Sequence, residues 1–318
     1  MASPIRIGLQ LTDFNLPGVR AEQLYDRLTE IATTAEASGF ESLWLMDHLF
    51  QISAFGPPGH WMLEGNIGMM ALAARTERLH LGLLVGGVTY RNPALLAKQT
   101  TTIDVLSGGR AILGLGAAWY EAEHTAFGYR FPPIAERFEL LEDALRIARA
   151  MFTEDQPTVE GTHHKVQAIY NSPRPLRGDI PILIGGNGRR KTLRMVAQYA
   201  DASNMFGDED EIRELIGVLE GHCEKVGRDP AEIVKTKLAT LVIGRNRAEA
   251  ERKVARLRDQ HGEQFRSIVI HGTEDQVAER VQAHLDAGLD GLIVDMPYIH
   301  DLDEVEAAGR TLSRVIAR

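Results

Sequence analysis

The sequence predicts an α/β protein built as a (β/α)8 TIM barrel with insertion segments at the C-terminal face. Three observations predict it. Strand-like apolar runs alternate with stretches of helical period about eight times along the 318-residue chain. The runs LGLLV and LATLVI are apolar almost throughout, as strands covered on both faces of a parallel sheet must be. A strict β-then-α order demands a parallel sheet, and eight units point to a closed barrel rather than an open sheet. A bare barrel takes about 250 residues. One domain spanning 1–318 is therefore expected, with the surplus in excursions.

The strand candidates are 5–11, 42–46, 79–85, 111–115, 181–184, 202–206, 237–243 and 289–295. Between the first two, Leu24, Leu28, Ile31, Ala32 and Ala35 form one helical stripe, closed by Gly39 as a C-cap. Ile134, Phe138, Leu141, Leu145, Ala148 and Phe152 form a second. Thr273 and Gln276 have capping-box spacing ahead of Val277, Val281 and Leu285. Val305, Leu312, Val315 and Ile316 give the last helix its apolar face. Two stretches break the alternation. Residues 50–63 are rich in Gly, Pro and aromatics, and 153–179 are long for a connection. The second is expected to cross the barrel mouth with a small hairpin, since long irregular loops tend to be lids or binding loops.

Composition excludes several classes. A net charge of −9 argues against a broad nucleic-acid-binding face. The single cysteine, Cys223, rules out an intramolecular disulfide framework and a multi-cysteine metal site. No apolar run reaches the roughly 18–20 residues of a membrane helix, and 1–20 carries no signal-peptide pattern. A soluble, acidic, cytoplasmic α/β protein is expected. His163 and His164 are adjacent and would point apart, so a surface loop suits them better than a metal site. Gly114-Leu-Gly116-Ala-Ala-Trp119 has Trp where a dinucleotide fingerprint needs its third glycine.

Four places at the C-terminal ends of strands carry chemistry, the face where barrel enzymes place their active sites. Asp47-His48 ends the second strand; the pair can bind a ligand ring or bias an imidazole, or serve as a helix cap or loop ion pair. Gly86-Gly87 follows the third and allows main chain close to a ligand, or a plain tight turn. Gly116, Ala117 and Ala118 leave room over the mouth beside Trp119 and Tyr120, or serve close strand–helix packing. The fourth, Gly185-Gly186-Asn187-Gly188-Arg189-Arg190-Lys191, is a glycine turn opening a helix. Its free N–H groups and cations suit a phosphate or carboxylate. Together they suggest a barrel holding a flat, anionic cofactor.

With these residues in view, the chain resembles the luciferase-like monooxygenase superfamily, in its coenzyme F420-dependent branch. The resemblance spans nearly the whole chain. It rests on RIGLQL, SGFESLWLMDHLF, FPPIAERFELLEDALRIARAMF and SPRPLRGDIPILIGGNG, and most specifically on the run 76–119, where order and spacing of several elements agree at once. It implies a deazaflavin, or FMN in other branches, that accepts or donates a hydride. Asp47 then matches the acidic residue contacting the ring, and His48 the histidine on the substrate side, which exchanges the accompanying proton. A non-prolyl cis peptide is implied at Leu84–Val85, a bulge behind the ring. Gly185, Gly186, Asn187 and Gly188 match the backbone that holds the cofactor phosphate.

One departure stands out. Relatives that oxidise a sugar phosphate keep a glutamate a few residues after the fourth strand, where this chain has Ala118, Trp119 and Tyr120; a sugar-phosphate substrate is therefore not expected. Glu64 and Trp61 are further mouth residues, and Glu64 also suits a helix N-terminus. The expected function is an F420-dependent oxidoreductase acting on a small organic substrate, as a homodimer, with a flavin or F420 reductase as functional partner. Three rivals remain at this point. They are an FMN-dependent two-component monooxygenase using oxygen, a non-catalytic flavin-binding barrel whose mouth is filled by 50–61, and an NAD enzyme on a doubly wound sheet.

Overall fold

The computed structural model describes residues 5–261 and 269–316. The first half runs β1 (Ile7–Leu11), α1 (Leu24–Ser38), β2 (Ser42–Leu45), α2 (Gly65–Ala73), β3 (His80–Leu83), β4 (Gly86–Gly87), α3 (Pro93–Ser107), β5 (Ala111–Gly116), α4 (Glu121–Phe127) and α5 (Ile134–Thr153). A hairpin of β6 (Val159–Glu160) and β7 (Lys165–Val166) precedes β8 (Ile182–Gly185), α6 (Thr192–Tyr199), β9 (Ala202–Met205), α7 (Glu209–Val226) and β10 (Val234–Ile243). The chain then adds α8 (Arg247–His261), β11 (Val269–Gly272), α9 (Glu274–Asp286), β12 (Gly291–Asp295) and α10 (Leu302–Ile316).

The strands close into a parallel ring in the order β1, β2, β3, β5, β8, β9, β10, β12 and back to β1. That closure removes the doubly wound sheet and the NAD reading built on it. All eight sequence-derived strands are in the ring. Both predicted caps are present: Gly39 ends α1 at φ 108°, and Thr273 and Gln276 form the capping box of α9.

Side chains alternate in and out along each strand. Inward residues from successive strands, among them Ile5, Trp44, Ile112, Leu183, Leu238 and Ile293, fill the barrel as a separate cluster. Trp44 is the largest, and it fits because its neighbours on β1 and β3 are Gly8 and Gly82. A Cβ at Gly82 would stand 2.5 Å from the indole. Outward residues such as Leu9, Leu43, Leu81 and Leu113 pack under the helices in the main core.

Only the first excursion reaches the mouth, where Ile52 and Phe55 line a cavity. The second does not cross it, contrary to the sequence expectation. Residues 153–179 run down the outside of α3 and α5 instead. The Asp143 carboxylate of α5 accepts the N–H groups of Thr162, His163 and His164 at 2.9, 2.7 and 2.9 Å. Asn171 donates to Thr101 Oγ1 and Met151 O, and Leu176 N–H donates to Asp104. Two buried carboxylates on the helices thus capture the segment's backbone, and the segment's own Asn171 amide reaches back to both helices. The hairpin is there, and His163 and His164 lie on it at the surface.

A segment that the periodicity did not single out also serves the mouth. After β10 the chain adds α8 and β11, and β11 extends the C-terminal half of β10 from Thr240↔Val269 to Ile243↔Gly272. Residues Arg256, Leu257, Asp259 and Gln260 line a mouth cleft of about 1150 Å3.

Candidate active site

Between β3 and β4 the backbone kinks, and the Leu84–Val85 peptide is cis, at the bond that the family resemblance implied. Gln10 of β1 donates to Leu84 O at 2.9 Å, and Leu84 N–H donates to Leu45 O at 2.9 Å. The bulge has room because its neighbours are glycines. A Cβ at Gly114 would stand 1.8 Å from Leu83 O, and one at Gly116 2.7 Å from the Val85 side chain. At Gly185 a Cβ would lie 3.0 Å from Val85. The third and fourth glycine clusters therefore share a purpose: they let Val85 protrude.

Above this bulge lies a cavity of about 320 Å3. Asp47, His48, Leu84, Val85, Gly86, Gly116, Ala117, Ala118, Gly185 and Gly186 all line it. Ten of the sequence-selected residues thus meet at one place. Asn187, Gly188 and Arg189 stand beyond it on the turn before α6. Ile52 and Phe55 form wall, not filling, so the mouth is not blocked above Gly116. Ala118 turns the chain at φ 57°, and Arg137 of α5 holds that turn by donating to Ala118 O at 2.5 Å.

Asp47 is buried and fully engaged. Arg91 donates to both its oxygens, at 2.7 and 2.8 Å, and Gly87 N–H donates to Oδ2 at 2.9 Å. This clamp fixes the Gly86–Gly87 turn to the end of β2. Arg91 also pairs with Glu64, whose carboxylate caps α2 by accepting Ile67 N–H at 2.8 Å. Burial opposes the Arg91 charge, but the two carboxylates outweigh it and hold the guanidinium firmly protonated.

His48 has a partner that sequence reading missed. Its Nδ1 lies 2.8 Å from Oε2 of Glu123, on the short helix α4. The Glu123 side chain is fully buried and collects three further donors: Tyr90 Oη at 2.7 Å, Phe50 N–H at 3.2 Å and Leu49 N–H. Burial pushes the carboxyl up, yet the bonds from His48 and Tyr90 outweigh it and hold Glu123 below the usual carboxylate range. An ionised Glu123 can only accept. Nδ1 of His48 therefore carries the proton, and Nε2 is left as the basic nitrogen. Glu123 is the third residue of α4, just beyond positions 118–120 where the sequence departs from its sugar-phosphate relatives. Its sequence signal, EAEH after two aromatics, reads equally as an acidic helix start.

The neighbouring His124 is a different matter. Nδ1 faces Tyr120 O at 2.8 Å and Nε2 faces Thr89 Oγ1 at 2.6 Å, so both nitrogens are spent on structure.

At the glycine turn, Gly186 adopts φ 123°. Asn187 clasps the loop after β9, accepting Phe206 N–H at 2.9 Å and donating to Phe206 O at 2.7 Å. Arg189 is exposed and paired with Glu214 at 3.0 and 2.9 Å. Among the described residues no group of three metal-ligating side chains occurs, and no helix is long and apolar enough to cross a membrane.

A family model described as luciferase-like monooxygenase matches residues 5–266. A protein of Kineococcus radiotolerans named F420-dependent glucose-6-phosphate dehydrogenase is 29% identical over 306 residues, 85% of this chain and 87% of that one. A Rhodococcus jostii protein named F420-dependent glucose-6-phosphate dehydrogenase 1 is 34% identical over 233 residues, 68% and 64% of the two chains. The like-named protein of Amycolatopsis mediterranei is 33% identical over 184 residues, and there the match spans about half of the relative, 52%. Among solved structures, an F420-dependent secondary alcohol dehydrogenase in complex with an F420-acetone adduct superposes with a TM-score of 0.79 at 15% identity, over 98% and 99% of the two chains. The monooxygenase RslO1 from Streptomyces bottropensis gives 0.81 at 18%, over 98% and 99%. At such identities the likeness speaks for the fold.

Proposed function

The chain belongs to the luciferase-like monooxygenase family, and from that premise we propose that it is an F420-dependent oxidoreductase acting on a small organic substrate. The observation that carries the reading is His48 on the wall of a glycine-bedded cavity, held from behind by buried Glu123. The names of its relatives support the choice of F420.

The cavity fits a flat ring. Its floor is the Val85 bulge, and its sides at Gly116 and Gly185 are positions where a Cβ would press into Val85. Leu84, Val85, Gly86, Gly116, Ala117 and Ala118 would hold the ring, with the Arg91-clamped Asp47 beneath Gly87. Gly185, Gly186, Asn187, Gly188 and Arg189 would hold the phosphate. When bound, the deazaflavin supplies a two-electron hydride acceptor or donor. The chain orients the reactants, excludes water and moves one proton. In the oxidising direction, His48 Nε2 takes the hydroxyl proton of the substrate, and Glu123 stabilises the imidazolium that results. In the reducing direction the same nitrogen returns it.

We read the protein as a cytoplasmic homodimer served by a separate reductase. Ile67 of α2 and Leu95 and Leu106 of α3 are exposed, which supports a second copy on that side.

Equilibrium titration with F420 and with FMN tests the cofactor: F420 should bind at micromolar concentrations. Binding of FMN without F420 overturns the reading in favour of an oxygen-using monooxygenase. His48→Ala should lower turnover by about 10²–10⁴-fold and leave F420 affinity near normal. Unchanged turnover removes His48 from the proton step.

A further inference from the structure

We propose that the substrate is an uncharged molecule with an apolar body, a secondary alcohol or the matching ketone, and not a sugar phosphate. The proposal rests on the oxidoreductase reading above. What it adds is carried by the lining of the cavity.

Among the described residues the cavity is lined by no lysine and no arginine. The guanidinium groups that come near are committed elsewhere. Arg91 is locked between Asp47 and Glu64, and Arg137 is spent on the carbonyls of Ala118 and Pro132. The basic run of Arg189, Arg190 and Lys191 belongs to the turn assigned to the cofactor phosphate. The adjoining cleft, which shares Phe55 with the cavity, sets one arginine, Arg256, among Asp13, Asp259 and Asp295. Among the described residues, a phosphate dianion would thus lose its water in a cavity with no lysine or arginine, beside a cleft whose one arginine stands among carboxylates.

Five large apolar side chains line the cavity together with His48: Ile52, Phe55, Trp119, Phe138 and Leu141. Trp119 packs edge-on against the imidazole at 5.5 Å, yet 62% of it is exposed. A large aromatic surface left open beside the catalytic nitrogen is a platform for an apolar substrate. His48 Nε2, with Nδ1 held by Glu123, is then the basic nitrogen that would receive a hydroxyl proton. In the oxidation, the carbinol C–H bond breaks and its electron pair leaves as hydride to the oxidised deazaflavin. The O–H bond breaks with its proton going to Nε2, and the C=O bond forms. Ketone reduction is the same exchange in reverse.

The test has two arms on the full chain. With F420 present, oxidation of cyclohexanol is compared with that of glucose 6-phosphate. The expected kcat/KM ratio favours cyclohexanol by about 100-fold or more, a phosphate's desolvation being the larger cost. Without cofactor, calorimetric titration measures binding of cyclohexanone and of glucose 6-phosphate. Cyclohexanone should bind, Trp119→Ala should weaken it by about tenfold, and glucose 6-phosphate should not bind. Saturable glucose 6-phosphate oxidation, or cyclohexanone binding indifferent to Trp119→Ala, overturns the proposal. The two readings separate: if F420 fails to bind while cyclohexanone binds through Trp119, the cofactor falls and the substrate class stands. If F420 binds and cyclohexanone neither binds nor turns over, the substrate class falls alone.

Discussion

Two arginines at opposite ends of the barrel, one buried and one nearly so, show how differently the same side chain is used. Arg110, just before β5 at the base, gives all five of its N–H bonds to uncharged oxygens. The acceptors are Ser107 O at 2.7 Å, Thr76 Oγ1 at 3.0 Å, Leu79 O at 2.7 Å, Ala73 O at 2.8 Å and Thr76 O at 2.9 Å. It ties the C-terminal ends of α2 and α3, where carbonyls lack helical partners, to the start of β3. Arg91 at the mouth pairs with two carboxylates instead. Burial pulls the Arg110 guanidinium down, whereas its carboxylates hold that of Arg91 up. The base uses charge to satisfy backbone; the mouth uses charge to set other charges in place. That is the division expected of a barrel whose chemistry lies at the C-terminal face.

The comparison is broken most strongly at the mouth. Glu123→Gln keeps the size of the side chain and removes its charge, so His48 loses the acceptor that fixes its tautomer. Turnover should fall by about 10²–10⁴-fold while the melting temperature and F420 affinity change little. Steady-state kinetics beside a thermal melt checks both halves. A variant that melts far lower but turns over normally would make Glu123 a packing residue.

The base should give the opposite pattern. Arg110→Met leaves several buried carbonyls without donors, and stability should fall by about 3 kcal/mol or more. Denaturant titration measures the loss, and the folded fraction should bind F420 as before. If affinity drops as far as stability, the two ends are coupled and the division fails.

These two residues also mark where the sequence is legible. The eight barrel strands are readable because both faces of each are covered, which leaves continuous apolar runs. Asp47, His48 and the glycine clusters are readable because they end those runs. Glu123 is not: its burial depends on Leu49, Phe50 and Tyr90, more than 30 residues away, and locally it looks like any helix-opening acid. Arg110 is hidden in the same way, since four of its five acceptors belong to residues 73–79, more than 30 residues earlier in the chain. The path of 153–179 was misread because Asp104 and Asp143 belong to helices, where polar residues read as solvent-facing. The cis peptide at Leu84–Val85 was legible only through family resemblance.

A third buried base sharpens the rule. His284 of α9 is fully buried between α7 and β10, its Nε2 3.5 Å from Lys237 Nζ and 3.8 Å from Glu209 Oε1. Burial, then the Lys237 charge, lower it to about 4, with Glu209 and Asp208 opposing and Arg280 assisting. Between pH 4 and 6.5 the unfolded chain therefore binds a proton that the folded chain refuses. Stability should fall as pH drops through that window, by up to about 1.4 kcal/mol per pH unit. His284→Leu should flatten this part of the stability curve, leaving only the slope from other groups. Denaturation midpoints of both proteins from pH 4 to 6.5 decide it; parallel curves would clear His284 of the effect.

The smallest expected effect lies back at the mouth and probes what the hydroxyl of Tyr90 adds to Glu123. Glu123 lies below the usual carboxylate range: burial raises it, and His48 and then Tyr90 lower it by more. Activity needs the ionised carboxylate, so it is present above that value and lost as pH falls through it. Tyr90→Phe removes one donor and keeps the ring stacked on His124 at 4.8 Å. Glu123 should then titrate higher, and the acid limb of the pH–rate profile should move up by about one unit or less, the worth of one hydrogen bond. The plateau at neutral pH should hold, because His48 and the two backbone N–H groups still fix the carboxylate. A lowered plateau with an unmoved limb would mean that Tyr90 shapes the cavity and does not tune the charge. In that event the mouth would resemble the base more closely than its ion pairs suggest.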